Sequence, residues 1–265
     1  MALAASQPFD VLKWSHGASR RLTDEIAQET PILIKYGGVP HVVMLATPSD
    51  LEDYAVGFTL SEGYVDSVRD IVGVSVSEDP DSLEIDVTVR WERFAHILRA
   101  RRNLSARSGC GLCGHEKLED AVRPVPALTS RSQLTVDDLH SALAELQSLQ
   151  PINARTGSVH AAAWVIPGAG IRAVREDVGR HNALDKTIGA LARQGATFDS
   201  GFLLLTSRAS FEMVQKAATV GIPTVVAISA PTTLAVRFAQ ACGMTLIGFA
   251  RPHQHVIYAG AERLV

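Results

Sequence analysis

Cysteine is scarce in this chain: three residues in 265, at Cys110, Cys113 and Cys242. An odd, small number is not a disulfide framework, which excludes the covalent stapling of small secreted domains. The pattern suits a reducing compartment in which a close Cys pair is kept for chemistry or for a metal. Long apolar runs are missing too. Stretches such as Thr224 to Ala230 are far too short to span a bilayer. Met1 to Asp10 lacks the basic start and apolar run of a signal peptide, so the expected location is the cytoplasm, with no membrane association. Nor is there an excess of charge. Lys plus Arg number 25 against 28 Asp plus Glu, a net charge of -3. No global basic field draws nucleic acid. An anionic ligand would need a local cluster of Arg, Lys and backbone N–H groups. No internal repeat or low-complexity run is found.

What is present is ordinary globular material, 46% hydrophobic and 20% charged, enough for a substantial core. Ile32 to Ile34 and Val42 to Leu45 are strand-like, and Gly37-Gly38-Val39-Pro40 between them predicts a hairpin. Ser49 is expected to open a helix, with Glu52 completing a capping box. Strands follow over Ile71 to Val76 and Leu83 to Val89, turned by Asp79-Pro80-Asp81, then a short helix from Trp91 to Ala100. Arg123 to Gln133 has the composition of a linker. Thr135 caps a helix with apolar Leu139, Leu143, Leu146 and Leu149. Beyond it apolar strands alternate with helices, the pattern of an α/β sheet with parallel pairing. The expected fold class is α/β (α+β overall). It divides into a smaller N-terminal α/β subdomain, 1–125, ending in a Cys-x-x-Cys loop, and a second α/β subdomain, 126–265.

Four segments carry candidate chemistry. In Gly109-Cys110-Gly111-Leu112-Cys113-Gly114 the glycines let the backbone bend and expose sulfur. The neighbouring Arg107, His115 and Lys117 favour the nucleophilic thiolate. The pair could equally be half of a zinc site, although zinc would want four ligands. Thr156 to Ala162 contains His160 but has Ala162 where a zinc-dependent nucleobase deaminase carries its proton-shuttling Glu, and its Cys pair lies upstream. A hydrogen-bonded His160 at a strand start is as good a reading as a ligand. Arg175 to Asn182 and Leu205 to Ser210 each bring a strand end to a helix start, where phosphates bind, or where the same charges simply cap the helix. Gly248 to His255 offers Phe249, Arg251 and two imidazoles at another strand end, suited to a purine and its phosphates, or only a turn between two strands. Cys242, on an apolar helix face, is expected in the core.

These segments together resemble the formate dehydrogenase accessory sulfurtransferase family, FdhD. The resemblance is carried by Arg107 to Gly114, Thr156 to Ala163, Arg175 to Lys186, Ser207 to Lys216 and Ala230 to Arg251. It runs from near Lys35 to the C-terminus. Residues 1 to about 30 show little signal. The resemblance implies a cytidine-deaminase-like C-terminal half. It implies a sulfurtransferase that takes a persulfide sulfur from a cysteine desulfurase and delivers it to the molybdenum cofactor, bis-molybdopterin guanine dinucleotide, for formate dehydrogenase. The persulfide carrier would be Cys110, with Cys113 in support. The cofactor would lie on Phe249, Ala250, Arg251, Pro252, His253 and Gln254, with Arg208 nearby and GDP as a mimic. No resident metal is expected, and a homodimer would suit a cofactor with two similar halves. Two other readings are a non-catalytic cofactor chaperone and a zinc-dependent nucleobase hydrolase.

Overall fold

The computed structural model describes residues 3–79, 82–101, 123, 125–128 and 133–265. The Cys110–Cys113 loop and the Pro80–Asp81 part of the expected turn lie outside them.

The chain opens with a two-stranded antiparallel ribbon, β1 (Ser6–Ser15) and β2 (Ala18–Ala27). His16 and Gly17 both take positive φ, as a two-residue hairpin turn requires. The ribbon is mostly solvent-exposed, with Phe9, Leu12 and Trp14 uncovered. The expected hairpin follows as β3 (Thr30–Tyr36) and β4 (Val39–Ala46). Helix α1 (Leu51–Ser61) leads to β5 (Ile71–Asp79) and β6 (Ser82–Val89), completing a sheet of order β4-β3-β6-β5 in which β3 and β6 are parallel. Helix α2 (Trp91–Arg101) follows.

The capping box expected at Ser49 does not form. The N-cap of α1 is Asp50 in a left-handed conformation, and no side chain caps the helix. Glu52 is drawn instead to Arg193, and Ser49 Oγ is buried without a partner. Thr135 behaves as expected. It caps α3 (Val136–Ser148) by accepting from Asp138 N while the Asp138 carboxylate accepts from Thr135 N. The short helix α4 (Pro151–Thr156), with Pro at its start, was not anticipated.

The second half is a six-stranded sheet of order β12-β11-β10-β9-β7-β8. Its strands are β7 (His160–Ile166), β8 (Gly170–Asp177), β9 (Phe202–Leu205), β10 (Thr224–Ala227), β11 (Thr245–Arg251) and β12 (Gln254–Ala259). β9, β10 and β11 pair in parallel, as strand–helix alternation predicts. β7 runs antiparallel to both neighbours. Helices α5 (Arg180–Arg193), α6 (Phe211–Thr219) and α7 (Thr233–Cys242) cover one face. On the other, Leu139 and Leu146 of α3 meet Val165, Leu204, Val226 and Ile247. Cys242 is buried in the main core. That core runs without a break from Ile32, Ile34 and Ile85 of the first sheet through α1 and α5 to Leu203 and Val225 of the second. No helix among the described residues is long and apolar enough to cross a membrane.

Two glycines set the join between the halves. A Cβ on Gly57 of α1 would stand 1.6 Å from the Asp185 carbonyl oxygen of α5, and one on Gly189 would stand 1.8 Å from that of Asp53. The helices therefore cross backbone to backbone, and only glycine fits at either position.

Candidate functional site

The Arg175–Lys186 stretch divides its charges. The Arg175 guanidinium donates to Asp53 Oδ2 from Nε at 2.9 Å and from Nη2 at 2.7 Å. Glu176 accepts from the backbone N–H groups of Ile152 and Asn153 at 2.9 and 2.8 Å, stabilising the start of α4. Asp177 and Lys186 form a fully buried pair at 2.7 Å. Asp177 also accepts from Thr47 N, Gly179 N and Asn182 Nδ2, and Lys186 donates to the Thr47 carbonyl. Every lone pair that burial would otherwise leave costly has a donor. Arg175, Glu176, Asp177 and Lys186 are thus taken up by side chains and backbone of this chain itself.

Lys216 closes a second buried cluster. Its Nζ is 2.9 Å from both Asp185 Oδ2 and Glu62 Oε1, 2.9 Å from Ser61 Oγ, and lies over the Phe58 ring. One cation between two carboxylates does not offset their desolvation, and burial pushes the Asp185 carboxyl above its ordinary range. In Leu205 to Ser210, Thr206 Oγ1 accepts from Ala161 N at 2.8 Å and Ser207 Oγ donates to the Arg208 carbonyl. The Thr206 hydroxyl ties the end of β9 to β7, and the Ser207 hydroxyl closes a local turn.

Arg180, His181 and Ser210 remain, at the carboxyl edge of the parallel strands. The N-cap of α5 is Gly179 and that of α6 is Ser210, and neither helix start is capped by a side chain. His181 Nε2 and Glu212 Oε2 approach to 2.6 Å without hydrogen-bond alignment, which makes the two first turns neighbours. Arg180 Nε and Ser210 Oγ are buried and unpartnered. His160, the first residue of β7, shares this edge. Burial lowers its imidazole pKa, and the charges of Arg180 and His181 push the same way. Arg208 is exposed beside them.

The expected cofactor loop lies at the same edge, at the end of β11. Phe249 sits at φ 49° in an irregularity of the β11–β12 pairing and is 43% exposed. Its N–H donates to the Ser229 carbonyl. A positive φ for an aromatic residue is rare strain, of the kind that collects at functional sites. Ala250 is buried, so it offers a ligand only backbone. The Arg251 guanidinium donates to the carbonyls of Ile228 and Ala250, bracing the loop. Pro252, His253 and Gln254 are exposed in the turn. The His253 and His255 rings stand 5.7 and 5.6 Å from that of His140 on α3. His140 was missed in the sequence, where a single His on an amphipathic helix carries no signal.

The opposite edge holds a cavity of about 640 Å³ where α1, α5 and α6 end, lined by Leu60, Glu62, Ala192 and Thr219. His96 and Arg123, described residues on either side of the Cys stretch, also line it. Arg123 is held there by the Ser61 and Glu62 carbonyls. The structure thus gathers Arg208 and the Phe249–Gln254 loop at one edge. It provides no geometry for Cys110 or Cys113, which lie outside the described residues.

This architecture is two mixed sheets joined through crossed helices. It matches a solved structure described as a formate dehydrogenase accessory protein from Desulfotalea psychrophila, with a TM-score of 0.80 over 99% of this chain and 100% of that one, at 22% identity. The chain belongs to the FdhD/NarQ family, whose model matches residues 27–265. Curated relatives named sulfur carrier protein FdhD include one from Xanthomonas axonopodis pv. citri, 50% identical over 94% of this chain and 88% of its own. Another, from Cupriavidus necator, is 44% identical over 97% of this chain and 89% of its own.

Proposed function

We propose that this protein is a sulfurtransferase that carries sulfur as a persulfide on Cys110 and delivers it to the bis-guanine-dinucleotide molybdenum cofactor needed by formate dehydrogenase. The observation that carries the reading is the half-identity, over nearly the whole chain, to proteins named sulfur carriers. The donor is a cysteine desulfurase. The Cys110 thiolate attacks the outer sulfur of the donor's persulfide, the donor thiolate leaves, and the sulfur is stored on Cys110. Attack by the Cys113 thiolate on Cys110 sulfur then forms a disulfide and expels HS⁻ for the cofactor. A thiol reductant restores the pair. The Phe249–Gln254 loop and Arg208 receive the nucleotide end of the cofactor, with GDP as a mimic. Phe249 supplies a ring face for the guanine, and Arg251 shapes the loop. A homodimer is supported by the uncovered Leu12 and Trp14 of the β1–β2 ribbon, and the cytoplasm by the free thiols the chemistry requires.

Mass spectrometry after incubation with a desulfurase and cysteine tests the carrier. Wild type should gain one sulfur, 32 Da, on Cys110, and Cys110→Ala none. An adduct retained by Cys110→Ala would remove the assignment. A Cys110→Ala variant that still supports formate dehydrogenase would show a cofactor chaperone instead.

A further inference from the structure

Helix α2 carries a surface that the sulfur chemistry leaves unused. Trp91, its first residue, is 79% exposed, more than any other large apolar side chain among the described residues. Its ring stacks on that of Phe94, with centroids 6.1 Å apart and planes 28° apart. Phe94 in turn rests on the β3–β4 turn, where a Cβ on Gly37 would stand 3.3 Å from its ring. Arg93 is tied to Asp66 and, at 3.4 Å, to Asp70. Ile97 anchors the helix in the core. Trp91 is thus held on a rigid base while most of its surface meets water, so little freedom is lost when a partner covers it. Ile71 of β5 pairs with Val89, so Val72, exposed as well, lies at the same end of the small sheet as Trp91.

From Arg90 to Arg107 the chain has six arginines and one acidic residue, Glu92, although its net charge is -3. Arg99 is exposed and donates to the Ala95 carbonyl of its own helix, and among the described residues no carboxylate pairs with it. Tryptophan and arginine are the side chains that most often anchor protein interfaces. An apolar anchor among arginines calls for a partner with a pocket bordered by carboxylates. A second copy would set the arginines against themselves, because a two-fold contact repeats the same patch on both sides. A net negative chain does not favour nucleic acid. Helix α2 ends at Arg101, nine positions before Cys110. Nine residues span at most about 30 Å, so a protein seated on α2 is within reach of Cys110.

We propose that α2 docks the protein that donates the persulfide, with Trp91 as the anchor and its arginines facing an acidic surface on that donor. It rests on the reading of Cys110 as the sulfur carrier.

Sulfur loading of the full chain, read by mass spectrometry with two donors, tests the docking. One donor is a cysteine desulfurase with cysteine, and the other is glutathione persulfide, which is too small to need a docking surface. Trp91→Ala should raise the desulfurase concentration needed for half-maximal loading about tenfold, as loss of an interface anchor implies. Arg99→Glu should raise it less, and added salt should shrink that effect. Loading from glutathione persulfide should not change in either variant. Desulfurase loading unaltered in both variants would overturn the docking site, as would an equal loss with both donors. A change in self-association of the variants would give this face to a second copy and overturn it too. Wild type loaded by glutathione persulfide but not by the desulfurase would remove the docking and keep the carrier. Loading by neither would remove the carrier reading, and the docking with it.

Discussion

The α1–α5 crossing and the carboxyl edge of the large sheet share helix α5 but treat charge in opposite ways. Within the helix, Lys186 faces Asp177 and Asp185 faces Lys216, all shielded from water and hydrogen-bonded. At its end, Arg193 bridges Asp53 and Glu52 of α1. At its start, Arg180 Nε has no partner. The same residue types, a few positions apart, lock two halves together in one place and stay unpaired in the other. A basic residue in a matched motif is therefore no pointer to a ligand until its partners are known.

The crossing should be the more fragile region. Gly57→Ala should cost more than about 4–5 kcal/mol or prevent folding, because its Cβ meets backbone that cannot yield. Gly73→Ala, where a Cβ meets nothing within 4 Å, should stay within about 0.5 kcal/mol. Urea denaturation of the pair measures the contrast, and equal stabilities would dissolve it. Next in size is Lys216→Met, which leaves Asp185 and Glu62 facing each other in the core. A loss of about 3–5 kcal/mol is expected, partly recovered by adding Asp185→Asn. A loss confined to sulfur delivery, with stability intact, would move Lys216 from the crossing to the function.

Thr135→Ala should cost about 1 kcal/mol by removing a working cap. Ser49→Ala should change stability by less than about 0.5 kcal/mol, because Ser49 Oγ bonds to nothing. Thermal midpoints of the two variants would separate a real capping box from one that exists only as a sequence pattern. The smallest effect belongs to His160. Its folded pKa lies below the ordinary 6.5, so the unfolded chain binds the extra proton more readily. Stability should be complete above about pH 6.5 and decline as pH falls through that value toward the lowered one. His160→Gln should flatten this acid limb, and a limb unchanged in that variant would place the titration elsewhere.

Much of the framework was legible. The β3–β4 hairpin announced itself by its Gly-Gly turn, and β9 to β11 by short apolar runs between helical segments. Residues 6–27 were not legible because their ribbon lies mostly in water, so no apolar stripe marks a buried face. At the candidate site, Phe249 to Gln254 could be read as a strand end, but not that Ala250 points into the core or that Arg251 is bonded to backbone. Arg180 and Ser210 sat inside matched stretches among residues with purely structural partners, and nothing local distinguished them.

By itself the sequence determined the alternating α/β pattern, the family stretches and the two-residue spacing between Cys110 and Cys113, because each depends on residues close along the chain. Only the tertiary structure decided which charges are taken. Asp53 meets Arg175, and Thr47 meets Asp177 and Lys186, across more than a hundred residues. A buried charge must find its partner through space, and the few donors left over can be recognised only after those pairs have formed.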